Sequence, residues 1–360
     1  MQYNNEVSVE NIIYGSFVKL GRLDQIVYET FSNSSISSAT EVNIFVDLYS
    51  VLKSIFSEHY RTQINNYTDI TSGIINLCSH YRRFFRRLQV KSNFFLIMSY
   101  NTCDINRKYV GNYNDEFKRK SEVKMFRELA ESNFKLLNLL CPYLPDIHFI
   151  MSTRNYESSV IMANLIERYM GSGIPNIIIS KDLYPLHLTA IYPYTAYLYP
   201  IKQRGGIDAS VMVPINEKED FVYKFWDLVA TVRSFNPELL YHISPINFPL
   251  VSAINKFPER GLAGMANIRT IVRYLTKLAG DSGLEIFIQS LYNDEEISSY
   301  LPVNIIESRV KTLDTRFVLP MYKEDPECLS IKIENLVDNE ALNKINSKFF
   351  ANNPLDFNNL

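Results

Sequence analysis

Short apolar runs punctuate the chain, each with the length and the β-branched or aromatic content of a buried strand: Val42 to Val46, Asn93 to Met98, His148 to Ser152, Asn176 to Ser180 and the shorter Ala196 to Tyr199. Between them the apolar spacing turns helical. Leu48 to His59 reads as a helix, and so do residues 73–91, with Ile74, Ile75, Leu77, Cys78, Phe84, Phe85 and Leu88 on one face. Val123 to Leu140 follows the same period, and a further helix opens at Tyr156-Glu157-Ser158-Ser159. Strand alternating with helix predicts an α/β fold with a mostly parallel central sheet flanked by helices. The stretch His148 to Leu188 is its organising unit, strand then helix then strand, and its carboxyl ends form the rim where such sheets place their sites.

The ends of the chain read differently. Val9 to Phe31 suits short helices and is closed by the Ser/Asn cluster Ser32 to Ser38. Phe221 to Leu278 is helical, and beyond it come an apolar helix near Leu284 to Leu291, strands over Ser308 to Pro320 and Ser330 to Ile333, and an Asn-rich tail. The expected domains are residues 1–40, an N-terminal helical extension; 41–215, the α/β domain; 216–283, a helical region; and 284–360, a C-terminal extension.

Composition narrows the function. With 37 Lys and Arg against 39 Asp and Glu, the net charge is -2, so the chain is not one that coats nucleic acid over its whole surface and any such binding is local. Cys78, Cys103, Cys141 and Cys328 lack zinc-ligand spacing and imply a reducing compartment. No run of about 18 apolar residues and no signal-type N-terminus is present, so no membrane partner is expected. The expected location is cytoplasmic or the interior of a host cell, or a virion.

Candidate chemistry gathers at strand ends. Asp47 closes the first strand, Glu157 opens the helix of the central unit, and Asp182 follows its second strand. Converging acids suggest a metal site, whereas a lone Asp before a helix is more commonly its cap. Arg82 stacks over Arg86, and Arg83 over Arg87, at i,i+4 spacing. Like charges so placed call for an anion between them or acidic neighbours in the fold. Arg107, Lys108, Lys118, Arg119 and Lys120 are interleaved with Tyr100, Tyr109 and Tyr113, a composition that suits tracking a single strand by charge and stacking, or an ordinary surface loop. Arg269 and Arg273 share a helix face after Gly261 and Gly264, whose loop either meets a phosphate or only turns the chain.

The order of these motifs resembles the flap endonuclease and 5′-exonuclease family, a PIN-like nuclease fold, from about Val42 to Leu278. Val42 to Asp47 resembles its first strand with a metal-binding Asp, Phe94 to Ser99 its second, and Arg107 to Lys120 the basic segment that grips substrate phosphates. Tyr156 to Ala163 resembles the helix start that carries Glu-Ala-Asp-Asp, and Ile177 to Leu186 the strand ending in Asp-Lys-Asp. Phe221 to Leu278 falls where a DNA-gripping helix-hairpin-helix belongs.

Departures from that pattern set the chemical expectation. Ser99, Ser159, Val160 and Ser180 stand where the family carries Asp, which leaves Asp47, Glu157 and Asp182 as vestigial metal ligands. Two Mg2+ ions about 4 Å apart need more carboxylates than that. The resemblance therefore implies a catalytically degenerate nuclease-fold protein without a cofactor, a DNA-binding or structural subunit of a larger assembly. Its partners would be DNA, or other chains met through the two extensions. The alternatives are an active Mg-dependent 5′-3′ exonuclease or flap endonuclease with an altered metal site, and a purely structural subunit. Richness in Asn, Ile, Tyr and Lys suits an AT-rich viral or phage genome.

Overall fold

The structure is a computed structural model and describes residues 40–48, 50, 51, 78, 81, 82, 85, 86, 89–98, 146–151, 156–202, 208–233, 237–254 and 303–324. Strands β1 (Glu41–Asp47), β2 (Lys91–Met98), β3 (Ile147–Met151), β4 (Asn176–Ile179), β5 (Thr195–Lys202) and β6 (Asp208–Val213) form one sheet in the order β3-β2-β1-β4-β5-β6. All pairings are parallel except β5 with β6, which is antiparallel. Strands buried on both faces read as unbroken apolar runs, which is why Ile44-Phe45-Val46, Phe94 to Ile97 and Ile177 to Ile179 are legible as strands and are all nearly inaccessible. The expected mostly parallel α/β sheet is the one observed.

Strand order was not legible. The unit β3, helix α1 (Ser158–Tyr169) and β4 is present, but β3 lies at one edge of the sheet and β2 and β1 separate it from β4. The order therefore reverses between β1 and β4. That is the switch point of an open α/β sheet, where a crevice opens at the strands' carboxyl ends.

Several boundaries move. Residues expected to be helical up to position 91 stop earlier: Gln89 takes φ 60 and β2 begins at Lys91, whose N–H bonds the Thr40 carbonyl at 2.8 Å. The short strand expected at Ala196 extends to Lys202, and β6 answers it as an unforeseen antiparallel partner.

The strand expected over Ser308 to Pro320 is wrong. This stretch is helical, in α5 (Val303–Leu313) and α6 (Thr315–Glu324). Ile306, Val310 and Leu313 are buried at helical spacing, as are Val318, Leu319 and Tyr322, which is the 3.6-residue period of a helix and not the alternation of a strand. The expectations for 9–31, 123–140, 267–278, 284–291 and 330–333 lie outside the described residues.

Three more helices complete the described structure used below: α2 (Leu188–Ile191), α3 (Phe221–Arg233) and α4 (Phe248–Ile254). On α3, Phe225 and Trp226 meet Phe248 edge to face and tilted, and the Trp226 indole N–H donates to the Ile243 carbonyl at 2.8 Å. A single cluster of buried apolar side chains runs from Phe45 and Phe95 through α1 and α3 to Val310, Val318 and Tyr322. The C-terminal helices are thus part of the core that supports the sheet. Among the described residues no helix is long and apolar enough to cross a membrane.

Candidate functional site

Asp47 is the last residue of β1, and the switch point makes β4 its neighbour. Beyond the end of β4, Ser180 turns its hydroxyl onto Asp47 and donates to Oδ2 at 3.0 Å. Ser50, three residues past Asp47, offers its backbone N–H to Asp47 Oδ1 at 3.4 Å, and its hydroxyl lies 3.2 Å from the Asp47 carbonyl. That is the geometry of a helix cap, so the common role for an Asp at this position is realised here. The Ser50 and Ser180 hydroxyls are 2.9 Å apart. Ser158, at the start of α1, is buried and also lowers the pKa of the Asp47 carboxyl against the effect of burial.

Backbone donors complete the cluster. Lys181 N–H donates to Ser50 Oγ and Asp182 N–H to Ser180 Oγ, both at 2.9 Å. Below them the Tyr197 hydroxyl of β5 reaches the carbonyls of Ser180 at 2.8 Å and Asp182 at 2.6 Å, donating its one proton to either. Burial, chiefly, and then the Asp182 charge hold the Tyr197 phenol well above its ordinary range. Burial also raises the Asp47 carboxyl above the usual carboxylate range, against Ser180, Ser50 and Ser158, which favour its anion.

The other two candidate acids sit on the same rim with different duties. Asp182 is half-buried, and its Oδ1 accepts the Tyr184 N–H at 3.1 Å, closing a local turn. Glu157 occupies the cap position of α1, but its side chain does not cap the helix. Its carbonyl instead accepts from Val160 at 3.1 Å. Among the described residues, no three His, Cys, Asp or Glu side chains gather closely enough to hold a metal ion.

These donors do not fit the metal pair that the family resemblance implies. A pair of Mg2+ ions needs several open anionic oxygens, and among the described residues of this rim the buried Asp47 carboxylate accepts from hydroxyl and amide donors, with a serine hydroxyl where the resembled family has its next acid. Ser50, Ser158 and Tyr197 were missed by sequence reasoning. Only Ser50 carried a signal, its i+3 spacing from Asp47.

The arginine pair lies elsewhere. Arg82 Nη2 meets Asp146 Oδ1 at 2.5 Å, with little exposure on either side chain, and its guanidinium stands over the Phe94 ring. Asp146 immediately precedes β3, and Arg86 immediately precedes the turn into β2. Both arginines therefore belong to the amino end of the sheet, opposite the Asp47 rim. Arg82 finds its anion inside the fold, in an acidic neighbour, while Arg86 is exposed. Arg83, Arg87, Arg107, Lys108, Lys118, Arg119, Lys120, Arg269 and Arg273 lie outside the described residues.

No protein-family profile matches the sequence, and no curated protein matches it. Solved structures do. The chain is similar to the phage T5 D15 protein co-crystallised with metal ions, at 12% identity and a TM-score of 0.49 over 86% of this chain and 98% of that one. Another structure of that protein is described as a flap endonuclease pseudo-enzyme–product complex with DNA and metal ions, at 12% identity and TM-score 0.46 over 84% of this chain and 97% of that one. Human GEN1 in complex with Holliday junction DNA is similar at 8% identity and TM-score 0.43, over 83% of this chain and 65% of that one.

Proposed function

We propose that this chain is a catalytically degenerate protein of 5′-nuclease type that binds nucleic acid without cutting it. The observation that carries the reading is the Asp47 cluster, in which this buried carboxylate accepts from the Ser50 backbone N–H and from the hydroxyl of Ser180, which stands where the resembled family carries an acid. Cleavage by the two-metal route loses its charge clamp. Binding loses a repulsion, because a rim of hydroxyls opposes an approaching phosphate less than a rim of carboxylates does.

Topology supports the choice of partner. The chain leaves β2 at Met98 on the Asp47 rim, and the next forty or so residues in sequence bring Arg107, Lys108, Lys118, Arg119 and Lys120 with their interleaved tyrosines. A second reading, a structural subunit with no nucleic acid, is favoured by the Arg82–Asp146 pair, which spends one arginine of the basic helix on the fold itself. Residues 1–40 and the tail beyond α6 are the segments through which such a subunit, in a viral or other assembly, meets its partners.

One assay separates these readings. A 5′-flap DNA is incubated with the full chain and Mg2+ or Mn2+, beside a gel shift of the same DNA in EDTA. The expected result is a salt-sensitive shift with no cleavage. Cleavage that disappears in Asp47→Ala restores the active-nuclease alternative, and the absence of both signals selects the structural subunit.

A further inference from the structure

Helix α6 braces both walls of the Asp47 rim. On the α1 side, Tyr156 donates its hydroxyl to the Met321 carbonyl at 3.2 Å and packs edge to face on Tyr322, one residue before Glu157. On the β4 side, the contact runs through His187, the last residue of the 3-10 turn Tyr184–His187 that follows Asp182. His187 is 1% exposed. Its Nδ1 lies 2.5 Å from the Tyr184 carbonyl, and its Nε2 lies 2.7 Å from Thr315 Oγ1 and 3.3 Å from the Thr315 N–H, the first of α6.

This geometry fixes the ring's proton. A carbonyl only accepts, so Nδ1 carries the hydrogen, and Nε2 must then be the acceptor for Thr315. An imidazolium has no acceptor. Protonation would aim an N–H at the Thr315 N–H, and although the Thr315 hydroxyl can rotate to accept, the backbone amide cannot. It would be left without a partner in a place closed to water.

The helix that depends on this contact has little stability of its own. It is ten residues long and carries Pro320 inside, which removes an internal hydrogen bond, so tertiary contacts decide whether it forms. Charged groups around the junction are already matched. Arg316 binds Asp314 through two nitrogens, Glu167 of α1 takes the Tyr192 hydroxyl and Lys323, and Asp182 accepts the Tyr184 N–H.

We propose that His187 is an acid-sensitive latch: neutral, it pins the start of α6 to the turn after β4, and protonated, it releases α6 from the rim. The sign follows from linkage. The docked state excludes the proton that a free histidine takes up with a midpoint near about 6.5, so docking is complete above that pH and is lost progressively below it. This inference goes beyond the nucleic-acid reading and does not depend on it.

The test is amide hydrogen exchange of the full chain at about pH 7.5 and about pH 5.5, corrected for the intrinsic pH dependence of exchange. Protection of residues 315–324 relative to β1 is expected to fall about tenfold or more at the lower pH, the scale of one lost buried hydrogen bond. In His187→Gln, whose side-chain carbonyl can still accept from Thr315 but does not titrate, that ratio is expected to be the same at both pH values. Equal wild-type protection at the two pH values overturns the proposal, and so does an undiminished pH response in His187→Gln. Should that variant not fold, nitrogen chemical shifts of the wild-type His187 ring decide: titration in step with the loss of α6 protection supports the latch, and a ring that stays neutral while α6 opens refutes it.

Discussion

The two ends of β1 solve the same problem in opposite ways. At the amino end, Asn43 donates to Asn176 Oδ1 at 3.2 Å on one neighbouring strand and accepts from Asn93 Nδ2 at 3.4 Å on the other. At the carboxyl end, four residues on, Asp47 is also buried, and its carboxylate takes its protons from the Ser180 hydroxyl and the Ser50 backbone N–H. An amide ladder is self-matching and costs the fold little. A buried carboxylate held above its ordinary pKa costs stability, and it stands here at the sheet's switch point, the place where open α/β sheets bind ligands.

Exchanging the two side chains breaks this comparison most sharply. Asn43→Asp removes the donor to Asn176 and puts a charge where no hydroxyl waits, so it should destabilise by roughly 3 kcal/mol or more, read as a fall in the chemical denaturation midpoint. A loss below about 1 kcal/mol would show that the amide ladder does not matter as argued.

Next in size is the amino-end ion pair. Arg82→Leu strands Asp146, whose side chain keeps some exposure, and should cost roughly 2 kcal/mol, less than a fully buried pair would. It should also leave the salt dependence of any DNA binding unchanged, because this arginine faces away from the rim. A flatter salt slope in that variant would return Arg82 to the interface.

The smallest effect is expected at Asp47. Asp47→Asn keeps the shape and removes the charge, so its stability at neutral pH should stay within about 1 kcal/mol of wild type. Its pH dependence carries the information. With the folded pKa raised, native wild type holds its proton more tightly than the unfolded chain, and that contribution is full below the ordinary Asp value and is lost as pH rises through the folded one. Melting temperatures measured upward from about pH 4 should therefore show Asp47→Asn gaining on wild type. A gap that closes with rising pH would mean that the hydroxyls outweigh burial.

Much of the fold was legible because buried parallel strands declare themselves by unbroken apolar runs, as Ile44-Phe45-Val46 and Ile177 to Ile179 do. α5 and α6 were not, since β-branched and apolar residues in a short window, such as Val310, Leu313, Val318 and Leu319, can be taken for a strand when their spacing is not weighed against the helical period. Ser159 and Ser180, where the resembled family carries acids, were readable as departures from a pattern. What Ser180 does in place of an acid was not, because its partners Asp47 and Ser50 lie 133 and 130 residues away.

The sequence by itself determined the alternation of strand and helix and the three acids at strand and helix ends. These follow from local composition and spacing, which need no knowledge of what touches what. Only the tertiary structure decided the strand order that makes β1 and β4 neighbours, the assignment of Arg82 to an internal pair at the far end of the sheet, and the reach of His187 to Thr315, 128 residues on. Each of these depends on how distant segments satisfy one another's hydrogen bonds once water is excluded, and that matching is carried by the folded chain and not by any stretch of it.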